Sequence, residues 1–168
     1  MTEATVSQHI YSYSCFVCLG FFLIFRYLQR CSLFIGTPIN ILIILIIIES
    51  DLHEFDFISS QWSLVQTTGR RPRARYRATT VVYKNLLILY GGHDGTRHLS
   101  DTHIFDIVNR VWSPLSIASG SNTPIPRDSH IAVTHSNSMY IFGGSTGSAM
   151  DDLYELQLQE NPSLMGKW

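Results

Sequence analysis

Leu86-Leu-Ile-Leu-Tyr90-Gly91-Gly92-His93-Asp94-Gly95-Thr96-Arg97-His98-Leu99-Ser100-Asp101-Thr102-His103-Ile104-Phe105-Asp106 decides the fold, because its parts recur along the chain in the same order. The first part, residues 86–92, returns as Ser138-Met-Tyr-Ile-Phe142-Gly143-Gly144 at an offset of 52. The last part, Asp101 to Asp106, has an earlier copy in Asp51-Leu-His-Glu-Phe55-Asp56 and a looser later one in Asp152-Leu-Tyr-Glu-Leu156-Gln157, at offsets of 50 and 51. Pro72-Arg-Ala-Arg75 returns as Pro124-Ile-Pro-Arg127 at 52, and Trp62 as Trp112 at 50. Anchors that keep one order and nearly one period define a repeat of about 50 residues.

Between the anchors lie short runs of β-forming residues. Residues 78–83 and 86–90 flank Lys84-Asn85, a hairpin-like pair; residues 102–107 make a third strand and 110–115 a fourth around Trp112. The next unit predicts strands near 130–135, 139–142 and 152–158, with Asn137-Ser138 as its hairpin turn. Four short strands per period fit one blade of an all-β propeller. Gly91-Gly92 and Gly143-Gly144 end the second strand where the backbone must turn and approach its neighbours closely. Trp62 and Trp112 supply large apolar area between blades. Arg75 and Arg127 are expected to hold the blade connection by bonding carbonyls, and Asp106 to accept backbone N–H groups in the turn after it.

These features resemble the kelch repeat: an Arg before the first strand, Tyr-Ile-Phe142-Gly143-Gly144, an Asp-led third strand ending in Phe105-Asp106, then Trp112. The resemblance covers residues 51–168. Residues 91–101 and Pro126-Arg-Asp-Ser-His130 are similar to the leucine-zipper-like transcriptional regulator branch of kelch–BTB proteins. That branch implies substrate adaptors for cullin-3 ubiquitin ligases. No BTB domain is visible in this chain, so ligase recruitment is not assigned to it.

The count of units is incomplete. Residues 51–65 supply two strands of a partial blade, 75–117 a full blade and 127–168 most of another, about two and a half in all, where propellers close with about 4–8. Trp168 lies 16 residues after Asp152, against 11 for the two earlier Trp. Such an open fan leaves edges and faces uncovered, which predicts a fragment, a truncated product or a chain needing a partner.

Residues 1–50 are unlike the rest. Residues 10–48 contain no Asp, Glu or Lys, whereas 11 of the 13 acidic and 10 of the 12 basic residues lie in 51–168. The unit beginning at Asp51 should carry Gly-Gly near 41–43, but the chain reads Ile41-Leu42-Ile43. The runs 10–25 and 31–48, around Arg26 and Arg30, are each slightly short of the ~20 residues of a spanning helix. They predict either membrane helices with the two Arg on the cytoplasmic side, or sequence foreign to the protein, such as translated intron. A secretory signal is disfavoured, because residues 1–9 hold Glu3 and no Lys or Arg. The expected location is therefore a membrane if 10–48 are genuine, and otherwise the cytoplasm.

Several chemistries are disfavoured. A net charge of −1 argues against general nucleic-acid binding. Cys15, Cys18 and Cys31 all precede residue 32, so no disulfide framework or copper site of the galactose-oxidase type is expected in the repeats. Cys15 and Cys18 form one lone pair where a zinc site needs about four ligands. His93, His98 and His103 recur at five-residue steps, which keep neither a strand face nor a helix face. The reading is thus a protein-binding module, not an enzyme, with no metal or cofactor.

Arg70, Arg71, Arg73, Arg75 and Arg77 place five guanidiniums in eight residues. This cluster suits either a solvated connector or an electropositive rim for acidic peptide segments, since Arg pairs bidentately with carboxylates. Kelch resemblance implies partner contacts through the loops 66–77, 93–100, 116–129 and 145–151. The candidates it points to are Tyr76, Arg77, Asp128 and Ser129 in one loop type, and His93, Asp94, Arg97 and His98 in the other.

Overall fold

The computed structural model describes residues 31–35, 41–46, 51–56, 58–160 and 164–168, and every regular element among them is a β-strand. The strands are β1 (Cys31–Ile35), β2 (Ile41–Ile46), β3 (Asp51–Asp56), β4 (Gln61–Leu64), β5 (Thr68–Gly69), β6 (Thr79–Tyr83) and β7 (Leu86–Tyr90). They continue with β8 (Thr102–Asp106), β9 (Val111–Pro114), β10 (Ser116–Ile117), β11 (Ile131–His135), β12 (Ser138–Ser145), β13 (Ala149–Glu160) and β14 (Leu164–Lys167).

Three meandering sheets result. The first runs β1-β2-β3-β4, the second β6-β7-β8-β9 and the third β11-β12-β13-β14, each antiparallel between chain neighbours. The inner hairpins of the second and third sheets close with two residues, Lys84-Asn85 and Ser136-Asn137. Their first positions take φ of 53° and 52°, the positive values found in primed hairpin turns. The second of these turns therefore sits one residue before the predicted Asn137-Ser138.

Short parallel strands stitch the sheets together. On leaving the first sheet, β5 bonds β9 of the second, pairing Thr68 with Val111; on leaving the second, β10 bonds β14 of the third, pairing Ser116 with Met165. Each connector thus runs along the outer edge of the next sheet before crossing to its innermost strand.

The core lies in layers between sheets. Leu52 and Val65 of the first sheet's side meet Leu87, Leu89, Phe105 and Trp112 of the second. The opposite face of the second sheet, Val81, Tyr83, Ile88 and Tyr90, meets Leu115, Met139, Ile141, Leu156 and Leu158. Side chains alternate across a strand, so Leu87 and Leu89 face one neighbour and Ile88 and Tyr90 the other. Covered on both faces, β7 reads as an unbroken apolar run. Burying one such side chain stabilises by about 1.5–3 kcal/mol.

Part of the apolar N-terminal run departs from expectation. Residues 31–35 and 41–46, within a run predicted as membrane helix or foreign sequence, form strands, and β2 pairs with β3 from Ile41–Asp56 to Ile46–Asp51. The partial blade predicted at 51–65 is therefore a four-stranded sheet. A short apolar run is compatible with a buried strand or a helix by periodicity alone, and Ile-rich segments favour strands. Among the described residues no helix is long and apolar enough to cross a membrane. The run 10–25, with Arg26 and Arg30, lies outside the described residues.

In the first two sheets the turn after the third strand depends on that strand's last residue. Asp106 Oδ1 accepts the N–H groups of Val108 (2.9 Å) and Asn109 (2.8 Å), and Asp56 Oδ1 accepts that of Ile58 (2.7 Å). In the third sheet Gln157 takes this place, and β13 runs on to Glu160. Without the aspartate-capped turn the outer strand starts later, which accounts for the wide spacing of Trp168. Trp112 is buried against the first sheet (1% exposed), whereas Trp62, expected between blades, is 43% exposed. Each such Trp covers the sheet before its own, and no described sheet precedes the first.

Candidate functional site

The loops that join the sheets are anchored by two repeated clamps. Arg75 is buried and donates to Asp101 through both terminal nitrogens (2.6 and 2.8 Å), to Gly91 O (2.9 Å) and to Arg73 O (3.1 Å). Arg127, also buried, donates through Nη2 to Asp152 Oδ2 (2.9 Å), through Nη1 to Gly143 O (3.0 Å) and through Nε to Ile125 O (3.2 Å). Bidentate pairing satisfies a planar guanidinium with little geometric slack. The hydrogen bond from Arg127 holds the Asp152 carboxyl below the usual carboxylate range. For Asp101, burial opposes ionisation, but the bonds from Arg75 and His103 outweigh it and hold the carboxyl well below that range.

The aspartate partners were missed by sequence reading, which saw Asp101 and Asp152 only as anchors and expected carbonyl contacts for the arginines. Common spacing carries the signal: Asp101 follows Arg75 by 26 residues and Asp152 follows Arg127 by 25. Arg26 precedes Asp51 by 25, so the repeat's spacing reaches upstream of residue 50, although residue 26 lies outside the described residues.

The clamps set the path of the loops above them. Tyr76 and His93 pair in a two-way backbone bridge (Tyr76 N to His93 O 3.0 Å, His93 N to Tyr76 O 2.9 Å), and His93 bridges His98 in turn. Nδ1 of His93 lies 3.0 Å from the Tyr76 hydroxyl and 3.0 Å from the Gly95 N–H. With both donating to Nδ1, the ring proton sits on Nε2. The His93 and His98 rings meet edge to face at 4.8 Å.

Two carboxylates organise the cations. Asp94 Oδ1 accepts the Thr96 hydroxyl (2.7 Å) and the N–H groups of Thr96 (3.0 Å) and Arg97 (2.9 Å), while its Oδ2 accepts Arg73 (3.1 Å). The bonds from Thr96, then that from the Arg97 backbone, hold Asp94 well below the usual carboxylate range. Asp128, 4% exposed, belongs to the next sheet's loop, yet its Oδ2 lies 3.4 Å from His98 Nε2 and 4.0 Å from Arg77 Nη1. Ser129 N–H donates to Arg77 O at 2.9 Å, and both residues take positive φ (57° and 56°).

All eight candidates thus fall in one joined cluster across the second and third sheets: the rings of Tyr76, His93 and His98 in contact, Asp94 beside Arg97, Asp128 beside His98 and Arg77, and Ser129 bonded to Arg77. The Arg77 guanidinium stands 5.6 Å from the Tyr76 ring centre. Side chains of Arg77 and Arg97 are 59% and 66% exposed. Arg75, counted in the cationic cluster of 70–77, turns inward and leaves it. The loop predicted at 145–151 shrinks to 146–148, because β12 and β13 extend into it. Parts of the connectors 66–77 and 116–129 are the parallel strands β5 and β10. Among the described residues no group of three His, Cys, Asp or Glu is arranged to hold a metal ion.

Comparison with known proteins bears on this arrangement. Residues 48–163 match the model of the KLHDC2/KLHL20/DRC7 Kelch-repeats domain. The chain is similar to Acyl-CoA-binding domain-containing protein 5 of Arabidopsis thaliana, 36% identical over 108 residues that make up 62% of this chain and 16% of that protein. Host cell factor 1 of Homo sapiens is 38% identical over 98 residues, 55% of this chain and 5% of that protein. The Leucine-zipper-like transcriptional regulator 1 homolog of Drosophila melanogaster is 28% identical over 124 residues, 68% of this chain and 13% of that protein. The chain therefore spans less than a fifth of the length of these relatives.

Proposed function

Since the chain belongs to the kelch-repeat family, we propose that it is a protein-binding module whose loop face receives an acidic peptide segment. The observation that carries this reading is the pair of exposed guanidiniums, Arg77 and Arg97, lying 4.0 Å from Asp128 and 3.7 Å from Asp94, the latter carboxylate itself held by the Thr96 hydroxyl and the Arg97 N–H. Asp94 is committed to Thr96, Arg97 N–H and Arg73, which fixes the loop while leaving the Arg97 fork directed outward. A carboxylate arriving on this face gains charge-assisted bonds without the site having to reorganise. Tyr76 adds an aromatic surface beside Arg77, the kind of rigid anchor that interfaces favour. A role as the substrate-recognising part of a ubiquitin-ligase adaptor accords with the likeness to the leucine-zipper-like regulator; recruitment of the ligase would fall to another domain or partner.

The test is a display library of random peptides panned on the chain, compared with the double variant Arg77→Ala, Arg97→Ala. Enrichment of Asp- and Glu-containing peptides is expected, with affinity weakened about tenfold or more in the variant, since charged hydrogen bonds are each worth about 1.5–3 kcal/mol. Peptides with no acidic bias, or equal binding by the variant, refute the assignment.

A further inference from the structure

The carboxylate of Asp128 crosses from the third sheet to the loops of the second, and its charge there is incompletely met. Its Oδ2 lies 3.4 Å from His98 Nε2 and 4.0 Å from Arg77 Nη1, while its side chain is 6% exposed. Charge-assisted hydrogen bonds run at about 2.7–2.9 Å, so neither neighbour closes on it. Asp94 makes the contrast, with close bonds from Thr96, the Arg97 N–H and Arg73. A carboxylate withdrawn from water and left half-paired favours any further positive charge beside it.

His98 is placed to supply that charge. Its side chain is 25% exposed, so a proton reaches it from solvent, and its Nε2 faces Asp128. The other histidines at this end of the sheets are engaged differently. His93 Nδ1 lies 3.0 Å from both the Tyr76 hydroxyl and the Gly95 N–H, and a proton added there would displace both donors. His103 bonds Asp101, whose carboxylate Arg75 holds bidentately. His130 is buried and bonds the Thr79 hydroxyl through Nε2. Around His98 stand the His93 ring at 4.8 Å from its own loop, Asp128 before β11, and Arg77 before β6, which shares Asp128. Arg97 and Asp94 belong to the same loop as His98 and lie 3.7 Å from each other.

We propose that His98 is a proton-operated regulator of the loop face, which holds an acidic segment more tightly once this imidazole is charged. Arg77 and Asp128 are opposite in sign, so with a neutral His98 the three groups present no net charge to an incoming carboxylate. Protonation leaves Asp128 answered by His98 and the Arg77 cation unopposed, and the trio becomes singly positive. Because the side chain of Arg77 is 59% exposed, that charge is felt at the surface. Linkage makes the effect reciprocal: a bound acidic segment raises the proton affinity of His98 by the same factor. The inference rests on the acidic-segment reading of this face and adds its control by pH.

The probe is a rhodamine-labelled peptide alternating Asp and Gly, whose carboxylates stay ionised down to pH 6.0 because Asp titrates at about 3.9. Anisotropy titrations of the full chain are run at pH 7.5 and 6.0, with circular dichroism checking the fold at each. Binding should be about three- to fivefold tighter at the lower pH, the scale of one partly exposed ion pair. His98→Gln should bind with one affinity at both values. Asp128→Asn should bind at pH 7.5 about as tightly as the wild type does at pH 6.0, whereas a purely structural Asp128 predicts weaker binding. Calorimetry at pH 6.5 in two buffers of different ionisation enthalpy should show protons taken up on binding by the wild type and none by His98→Gln. No wild-type binding at either pH overturns the acidic-segment reading and, with it, the control by His98. Equal binding at the two pH values, a pH dependence that His98→Gln retains, weaker binding by Asp128→Asn, or no proton uptake overturns the control by His98 alone.

Discussion

Acidification from pH 7 to 4.5 is expected to weaken the fold through one buried group, His130. Its ring is 3% exposed, stands edge-on to Tyr90 at 5.3 Å, bonds the Thr79 hydroxyl through Nε2, and has no hydrogen-bond partner for Nδ1. Burial, and then the nearby Arg127 cation, lower its pKa from 6.5 to about 4, with Asp128 acting weakly the other way. Between those values the unfolded chain takes up a proton that the folded chain refuses. Stability is therefore complete above the unfolded value and falls as pH drops through 6.5, levelling near 4. A gap of this size predicts a loss of about 1 kcal/mol by pH 5.5 and about 2 kcal/mol by pH 4.5 relative to pH 7. The carboxylates of Asp101 and Asp152, whose values are lowered, contribute in a separate window, as pH falls below their unfolded value of about 4. Urea unfolding at the three pH values measures the slope, and His130→Gln, able to keep a bond to Thr79, removes the titration. A wild-type stability that is flat between pH 7 and 4.5, or a slope that His130→Gln leaves intact, would refute the reasoning.

Three substitutions probe the clamps and the tight turns by the same unfolding measurement. Asp152→Asn leaves the buried Arg127 guanidinium without its carboxylate and is expected to cost about 2–3 kcal/mol, the lower end for a broken ion pair because Asp152 is itself partly exposed; an unchanged midpoint would show that the two carbonyls alone satisfy Arg127. Gly144→Ala and Gly147→Ala form a matched pair, with φ of 97° and 100°. A Cβ at Gly144 would lie 2.5 Å from Asp128 O, whereas one at Gly147 meets nothing within 4 Å. The first should cost about 2–4 kcal/mol and the second about 1 kcal/mol, and equal costs would show that backbone strain alone, without the clash, accounts for both.

The sequence by itself determined the repeat and therefore the family. Gly91-Gly92, Asp106 and Trp112 are legible one residue at a time, because each answers a local demand of turn or packing that recurs every 50 residues or so. The strands of the second sheet were legible for the same reason, alternation and turn residues being local signals. Three matters were decided only by tertiary structure. Residues 31–35 and 41–46 carry an apolar pattern that suits helix or buried strand equally, and pairing of β2 with β3 selects the strand. Arg75 reads in the sequence as one more cation in a cluster of five, and only the approach of Asp101 from 26 residues away turns it into a buried clamp. Phe142 and Tyr90 hold the same place in the repeat, yet one is exposed and the other buried, because burial of a sheet face depends on what stands beside it, and a neighbour is a property of the assembly that no local pattern encodes.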